Sequence, residues 1–193
     1  MIRISAVILA AGESTRMGRP KALVAWGGVP LLRYHLDQLA AIDEIAEIIV
    51  VSGHAAEEVE ALAAGAPSAR AVRNDAYRSG KVSSILAGVA AIDAGADALL
   101  LMAVDQPRPA ALVRALIAAY AASRAAIVLP AHEGRRGHPL VFDRALFGEL
   151  REIREETLGV RALLDAHAGE ARVVEWADAS VLLDVNTPAD LEA

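Results

Sequence analysis

Short apolar runs and longer stretches of helical spacing take turns along most of this chain. The apolar runs occupy residues 4–10, 47–51, 69–73, 98–104, 126–130, 139–142, 171–175 and 181–183, lengths that suit strands rather than helices. Between them, residues 31–42, 55–64, 82–94, 109–121, 144–153 and 160–168 place apolar side chains at helical spacing. Apolar strands bounded by Gly or Asp and separated by helices belong to a largely parallel sheet covered on both faces. The pattern therefore predicts an α/β fold with a mostly parallel central sheet. After Pro130 strands and helices stop alternating, which predicts an antiparallel insertion or edge. No repeat, low-complexity tract or interdomain linker interrupts the pattern, so residues 1–193 are expected to form one domain.

In open sheets of this kind ligands sit beyond the carboxyl ends of the strands, near a switch in strand order. Four strand endings then become candidates: the loop after residue 10, Ser52-Gly53-His54, Asn74-Asp75, and Asp105-Gln106-Pro107. The first carries the most chemistry. From Leu9 to Lys21 it holds two glycines, two hydroxyls, two arginines and a lysine, so backbone N–H groups and fixed cations can approach a polyphosphate together. Neither standard phosphate fingerprint fits it. Gly12 and Gly18 have five residues between them and are followed by Arg19, and the chain has no Gly-x-Gly-x-x-Gly.

Composition narrows the picture by exclusion. A net charge of -6 argues against a broad nucleic-acid-binding face. No apolar run approaches the ~18–20 residues of a membrane span. The short N-terminal run leads straight into the charged loop, so it reads as a strand rather than a secretory signal, and the expected compartment is cytoplasmic. With zero cysteines, disulfides and thiolate metal sites are excluded. The cations are unevenly distributed: of 19, only Lys21 and Lys81 are lysines, and both lie beside glycines in candidate loops. An arginine-rich surface explains most of that bias, and two phosphate-facing ammonium groups would produce it too.

Three further segments can carry chemistry, and each has a plainer reading beside it. Asp105 ends the most apolar strand, where a carboxylate must be paired or hold a metal, or else cap the next turn. Ser83 and Ser84 open a predicted helix, where they either cap it or leave N–H groups open to an anion. Arg135 and Arg136 stand between Gly134 and Gly137, followed by His138. Two such arginines can close over a phosphate or simply face solvent. His35, His54, His132 and His167 show no metal-ligand spacing.

Residues 9–21 resemble the opening motif of the MobA-like nucleotidyltransferases, Leu-Ala-Ala/Gly-Gly-x-Ser-x-Arg-Met-Gly-x-x-Lys. Every fixed position matches: Leu9, Ala10, Ala11, Gly12, Ser14, Arg16, Met17, Gly18 and Lys21. Asp105-Gln106-Pro107 resembles the family's Asp-x-Pro metal motif. The segment from Asn74 through Ser83-Ser84 to Gly88 resembles its base- and ribose-side motif. Gly134 to Pro139 resembles the Gly-x-x-Gly-His-Pro of the molybdopterin cytidylyltransferase branch, and Asp184 to Leu191 the terminal motif.

The resemblance implies a three-layer, Rossmann-like nucleotidyltransferase fold of the glycosyltransferase-A type. It implies transfer of CMP from CTP to the phosphate of molybdopterin, with release of pyrophosphate. Arg16, Lys21 and Asp105 would be catalytic, and Mg²⁺ would sit on Asp105 and Asn186. Leu9, Ala10, Ala11, Gly12, Gly53, Asn74, Ser83 and Ser84 would join Arg16, Lys21 and Asp105 around the nucleotide; Arg135, Arg136 and His138 would face the acceptor. Two departures stand out. Asn186 replaces the aspartate usual in cytidylyltransferases, and Thr157-Leu158-Gly159-Val160-Arg161 keeps only the glycine and arginine of the family's Gly-Asp-x-Gly-Ala-Arg. A guanylyltransferase, a relative using another phosphorylated acceptor, and a non-catalytic protein delivering cofactor to a client molybdoenzyme remain the alternatives.

Overall fold

The computed structural model describes residues 2–191. The strands are β1 (Ile4–Leu9), β2 (Ala25–Trp26), β3 (Val29–Pro30), β4 (Ile45–Ser52), β5 (Ala69–Arg73), β6 (Ala98–Ala103), β7 (Ile127–His132), β8 (Arg135–Arg136), β9 (Leu140–Asp143) and β10 (Ala171–Glu175). The α-helices are α1 (Leu31–Ala40), α2 (Ala56–Ala64), α3 (Lys81–Ala91), α4 (Ala110–Ser123), α5 (Phe147–Glu152) and α6 (Val160–Ala166). None of the described helices is long and apolar enough to cross a membrane.

The main sheet runs β10-β7-β9-β6-β1-β4-β5, with β8 paired to β7. All of its neighbours along that order are parallel except β9, which runs antiparallel between β6 and β7. This is the antiparallel insertion expected after Pro130. The chain goes outward from β1 to β4 and β5, then returns to the other side of β1 as β6. That reversal opens a crevice at the carboxyl ends of β1 and β6, where the glycine-rich loop and Asp105 follow.

Three layers follow from the alternation of side chains along the strands. In β1, Ile4, Ala6 and Ile8 face one way and meet Leu32, Leu36 and Leu39 of α1, Val59 of α2 and Leu112, Leu116 and Tyr120 of α4. Val7 and Leu9 face the other way and meet Val82, Ile85 and Val89 of α3, Leu150 of α5 and Leu163 of α6. Gly88 lets α3 lie directly on the sheet, since a Cβ there would stand 2.5 Å from a Val7 methyl. The expected α/β class, mostly parallel sheet and three layers are all present.

Two local features differ from the sequence reading. Residues 181–183 form no strand; they belong to and follow a 3₁₀ turn, Ala179–Leu182. Val181 is fully buried, which explains its apolar signature. Its carbonyl and that of Leu183 are taken by the Arg108 guanidinium and not by a neighbouring strand. Conversely, β2 and β3 form a hairpin that periodicity missed. Gly27 and Gly28 both have positive φ (58° and 88°), the backbone that a two-residue hairpin turn needs.

Candidate active site

The loop after β1 is held by its own side chains. Ser14 adopts a left-handed conformation at φ 55° and its hydroxyl accepts a hydrogen bond from the Lys21 backbone N–H at 3.0 Å. Between them a single 3₁₀ turn, Thr15–Met17, ends on Gly18 at φ 72°. Met17 is buried against Val24 and Val185, with Trp26 and Leu191 around them. That small apolar cluster ties the loop to the C-terminal segment. Arg16 and Lys21 are thereby aimed at Asn186.

Four polar side chains converge there. Lys21 Nζ donates to Asp105 Oδ2 at 2.7 Å and to Asn186 Oδ1 at 2.8 Å. Arg16 Nη2 donates to the same Asn186 oxygen at 3.1 Å. The Lys21–Asp105 pair is largely sheltered, with side-chain exposures of 13% and 24%, so solvent screens it weakly. Among the described residues no cluster of three or more His, Cys, Asp or Glu side chains could bind a metal. Asp105 and Asn186 instead offer two oxygens that already converge on one cation. That donor set fits Mg²⁺, which is commonly held by one or two carboxylates plus phosphates and water.

A cavity of about 410 Å³ opens in front of this cluster, lined by Leu9, Ala10, Ala11, Gly12, Arg16, Lys21, Tyr77, Lys81, Ser84 and Asp105 among others. Both lysines of the chain line it. A second, more apolar cavity of about 480 Å³ adjoins it, sharing Leu9, Lys81 and Ala103. Leu101, Leu140, Leu158 and Leu164 supply its greasy wall, and Gln106, His138, Glu155 and Arg161 its polar groups. Burial is the main cause that depresses the His138 imidazole below its usual range, with Lys81 adding to it.

The middle segment of the site is more internally bonded than its sequence implies. The Asn74 amide donates to Ser83 Oγ at 2.9 Å and to Ser84 Oγ at 3.0 Å, and its carbonyl accepts from Ala76 N–H. Ser83 also donates back to the Gly80 carbonyl. Of these three, only Ser84 lines the cavity. The first turn of α3 is also partly occupied: Val82 N–H donates to the Glu155 carboxylate at 2.9 Å. Tyr77, with Arg78 stacked 5.2 Å above its ring, forms the outer wall. Sequence reasoning missed Tyr77, Arg78 and Glu155, because loop residues carry no periodic signal.

Beneath Asp105, His35 of α1 is fully buried, with Nε2 hydrogen-bonded to the Val104 carbonyl at 3.0 Å and Nδ1 unpartnered. The bond to a carbonyl requires the proton on Nε2. Burial pulls its pKa from 6.5 down to about 4. Below pH 6.5 the unfolded chain binds a proton that the folded chain refuses, so stability falls with falling pH until about pH 4. At ~1.4 kcal/mol per unit the full loss is roughly 3 kcal/mol. Urea unfolding at pH 7 and pH 5 should show a drop about 2 kcal/mol larger for the wild type than for His35→Gln. Equal drops would contradict this account of His35.

These contacts sit at the β1–β6 switch that a nucleotide-binding α/β sheet uses, and the family assignment agrees. Residues 6–172 match the MobA-like NTP transferase domain. The chain belongs to that family. It is a nucleotidyltransferase of the MobA-like type. The molybdenum cofactor cytidylyltransferase of Escherichia coli K12 is 27% identical to it over 190 residues, covering 98% of this chain and 94% of the relative. A probable molybdenum cofactor guanylyltransferase of Mycobacterium avium is 30% identical over 198 residues, covering 100% and 95%. The crystal structure of Rv0371c from Mycobacterium tuberculosis H37Rv superposes with a TM-score of 0.82 at 29% identity, covering 100% of this chain and 99% of that one.

Within this MobA-like scaffold, Arg135 and Arg136 form the exposed strand β8 and line neither of the two cavities. His138 does line the apolar one. Gly53 acts from behind the loop. A Cβ there would lie 2.8 Å from the Ala11 Cβ and 2.9 Å from both the Ala11 oxygen and the Tyr77 Cβ. Gly53→Ala should therefore push the loop forward and destabilise the protein by about 1–3 kcal/mol. In a thermal melt that is a Tm lowered by roughly 2–4 °C per kcal/mol, together with a raised KM for nucleotide. An unchanged melting temperature would show that the loop yields freely.

Proposed function

We propose that this protein transfers CMP from CTP to the phosphate of molybdopterin, in a reaction that requires Mg²⁺. The observation that carries the reading is the convergence of Arg16, Lys21, Asp105 and Asn186 at the mouth of one cleft beyond the carboxyl ends of β1 and β6. A phosphate oxygen of the acceptor attacks the α-phosphorus of CTP, the bond from that phosphorus to the bridging oxygen breaks, and pyrophosphate leaves. No general base is required. The second pKa of a phosphate monoester is ~6, so the acceptor is already largely a dianion at neutral pH. What remains is in-line alignment and neutralisation of charge on the leaving pyrophosphate.

Each residue has a task in that scheme. The Gly12 loop brings the triphosphate against Arg16 and Lys21, whose cations offset charge developing on the leaving group. Asp105 and Asn186 would hold Mg²⁺, which would supply positive charge to offset that of the triphosphate. Leu9 and Ser84 would flank the nucleoside. The neighbouring apolar cavity suits an acceptor with a broad, uncharged ring system, and His138 stands on its wall. Ala11 and Gln106 support CTP as donor, since both resemble the cytidine-using branch.

Pyrophosphate release tests this directly, with molybdenum-loaded molybdopterin, Mg²⁺ and each of CTP, GTP, ATP and UTP in turn. Release with CTP alone is the expected result. Release with GTP alone would preserve the reaction and overturn the choice of nucleotide. Cofactor binding with no turnover of any nucleotide would favour a delivery protein instead.

A further inference from the structure

Arg108 is the largest of the fully buried side chains, and nothing so far gives it a task. A guanidinium loses its hydration when it is buried, and is tolerated only where hydrogen bonds replace the lost water. Here four do, all to backbone carbonyls. Nε donates to His138 O at 2.9 Å, Nη1 to Pro107 O at 3.2 Å and Leu183 O at 2.9 Å, and Nη2 to Val181 O at 3.0 Å. Burial lowers its pKa only to about 10, so the group stays charged at neutral pH.

Every one of those carbonyls belongs to a segment that carries a site residue. Pro107 follows two residues after Asp105. His138 lines the apolar cavity. Val181 and Leu183 lead into Asn186. Around the guanidinium the same segments are cross-linked again: Val185 N–H donates to the Asp105 carbonyl at 2.7 Å, and Gln106 Nε2 to Asp184 Oδ1 at 3.0 Å. His138 N–H donates to the Val181 carbonyl at 3.1 Å. The chain is so close here that a Cβ on Gly137 would strike that carbonyl. The planar fork of an arginine fixes the directions of its donors, so one rigid group sets the spacing of three chain segments.

We infer that Arg108 is a positioning residue that holds Asn186 and His138 in place relative to Asp105, so that the nucleotide and acceptor sides of the cleft are assembled together. The inference rests on the functional reading above for what Asn186 and His138 do, and on the hydrogen bonds alone for how they are held. A lysine could supply three donors from a flexible stem but not the fork. Arg108→Lys should therefore fall between the wild type and Arg108→Met.

The test has two arms, both on the full chain. In the first, hydrogen exchange is followed without any ligand in the wild type, Arg108→Met and Arg108→Lys. Amides of residues 181–185 and His138 should exchange at least tenfold faster in Arg108→Met, with Arg108→Lys between it and the wild type. Protection in β1 and β4 should stay at wild-type levels. Unchanged exchange, or an equal loss across the whole protein, would overturn the inference; if Arg108→Met fails to fold, Arg108→Lys carries this arm.

In the second arm, Mn²⁺ is titrated in the presence of CTP and the midpoint is compared with maximal turnover. Arg108→Met and Asn186→Ala should each raise the Mn²⁺ midpoint about tenfold, and the double variant should add nothing further. Losses that simply multiply would mean that Arg108 does not act through Asn186. A fall in turnover with an unmoved midpoint would reduce Arg108 to general support of the fold. If the wild type shows no Mn²⁺-dependent binding of any nucleotide, the functional reading fails, and the exchange arm alone decides whether Arg108 clamps these segments.

Discussion

Asp105→Ala should lower turnover by about 10³-fold or more while leaving the protein folded. The carboxylate lies in the turn just after β6, outside both core layers, so its removal leaves no cavity in either. What it removes is charge at the point where Lys21 and Asn186 meet. A metal ion that polarises phosphoryl oxygens supplies several kcal/mol of charge stabilisation, and each ~1.4 kcal/mol is tenfold in rate. Asp105→Asn keeps the shape and loses the charge, and should fall nearly as far. The change in stability should be smaller, on the order of 1 kcal/mol, because the Lys21 ammonium keeps Asn186 as a partner and can reach water. Steady-state kinetics beside a thermal melt separate the two. Turnover within threefold of wild type would remove Asp105 from the chemistry.

Lys21→Ala comes second, with a loss of about 10²–10³-fold in kcat, the range found when one donor to developing charge is deleted. It has a signature that Asp105 variants lack. The ammonium lies 2.7 Å from Asp105 and 2.8 Å from Asn186, the two oxygens proposed to hold the metal. Its removal should let the protein bind Mn²⁺ about tenfold more tightly in the absence of nucleotide, since a like charge at close range no longer competes. Turnover and metal affinity thus move in opposite directions, which a merely unstable variant cannot imitate. Weaker Mn²⁺ binding in this variant would contradict the placement of the metal.

The strands were legible because both faces of the sheet are covered. A strand with α-helices above and below has few polar positions, so 4–10 and 98–104 stand out as apolar runs. The same logic misled at 181–183, where the burial is real but Arg108 takes the carbonyls instead of a strand. Two-residue strands such as β2 and β3 are too short to show a period, although Gly27-Gly28 marked their turn.

The site divides in a similar way. Arg16, Lys21 and Asp105, which the structure brings together around Asn186, stand in sequence at places marked by a long motif and by strand ends that the topology fixes. Asn74 and Ser83 could not be told apart from groups facing a ligand, because a hydroxyl bonded to an amide has the same letter as one facing a cleft. Arg135, Arg136 and Arg108 make the point most clearly. All three are arginines in loop-like sequence, yet the first two lie exposed on a hairpin and the third is sealed from water. Only the fold distinguishes them.

Nucleotidyl transfer from this cleft can be followed with labelled CTP. Wild-type protein, Mg²⁺ and molybdopterin would be incubated with CTP carrying phosphorus-32 at either the α or the γ position. The expected result is α label on the acceptor and γ label in free pyrophosphate, with both lost in Asp105→Ala. Transfer of γ label to the acceptor, or no transfer from either position or from any other nucleotide, would contradict it.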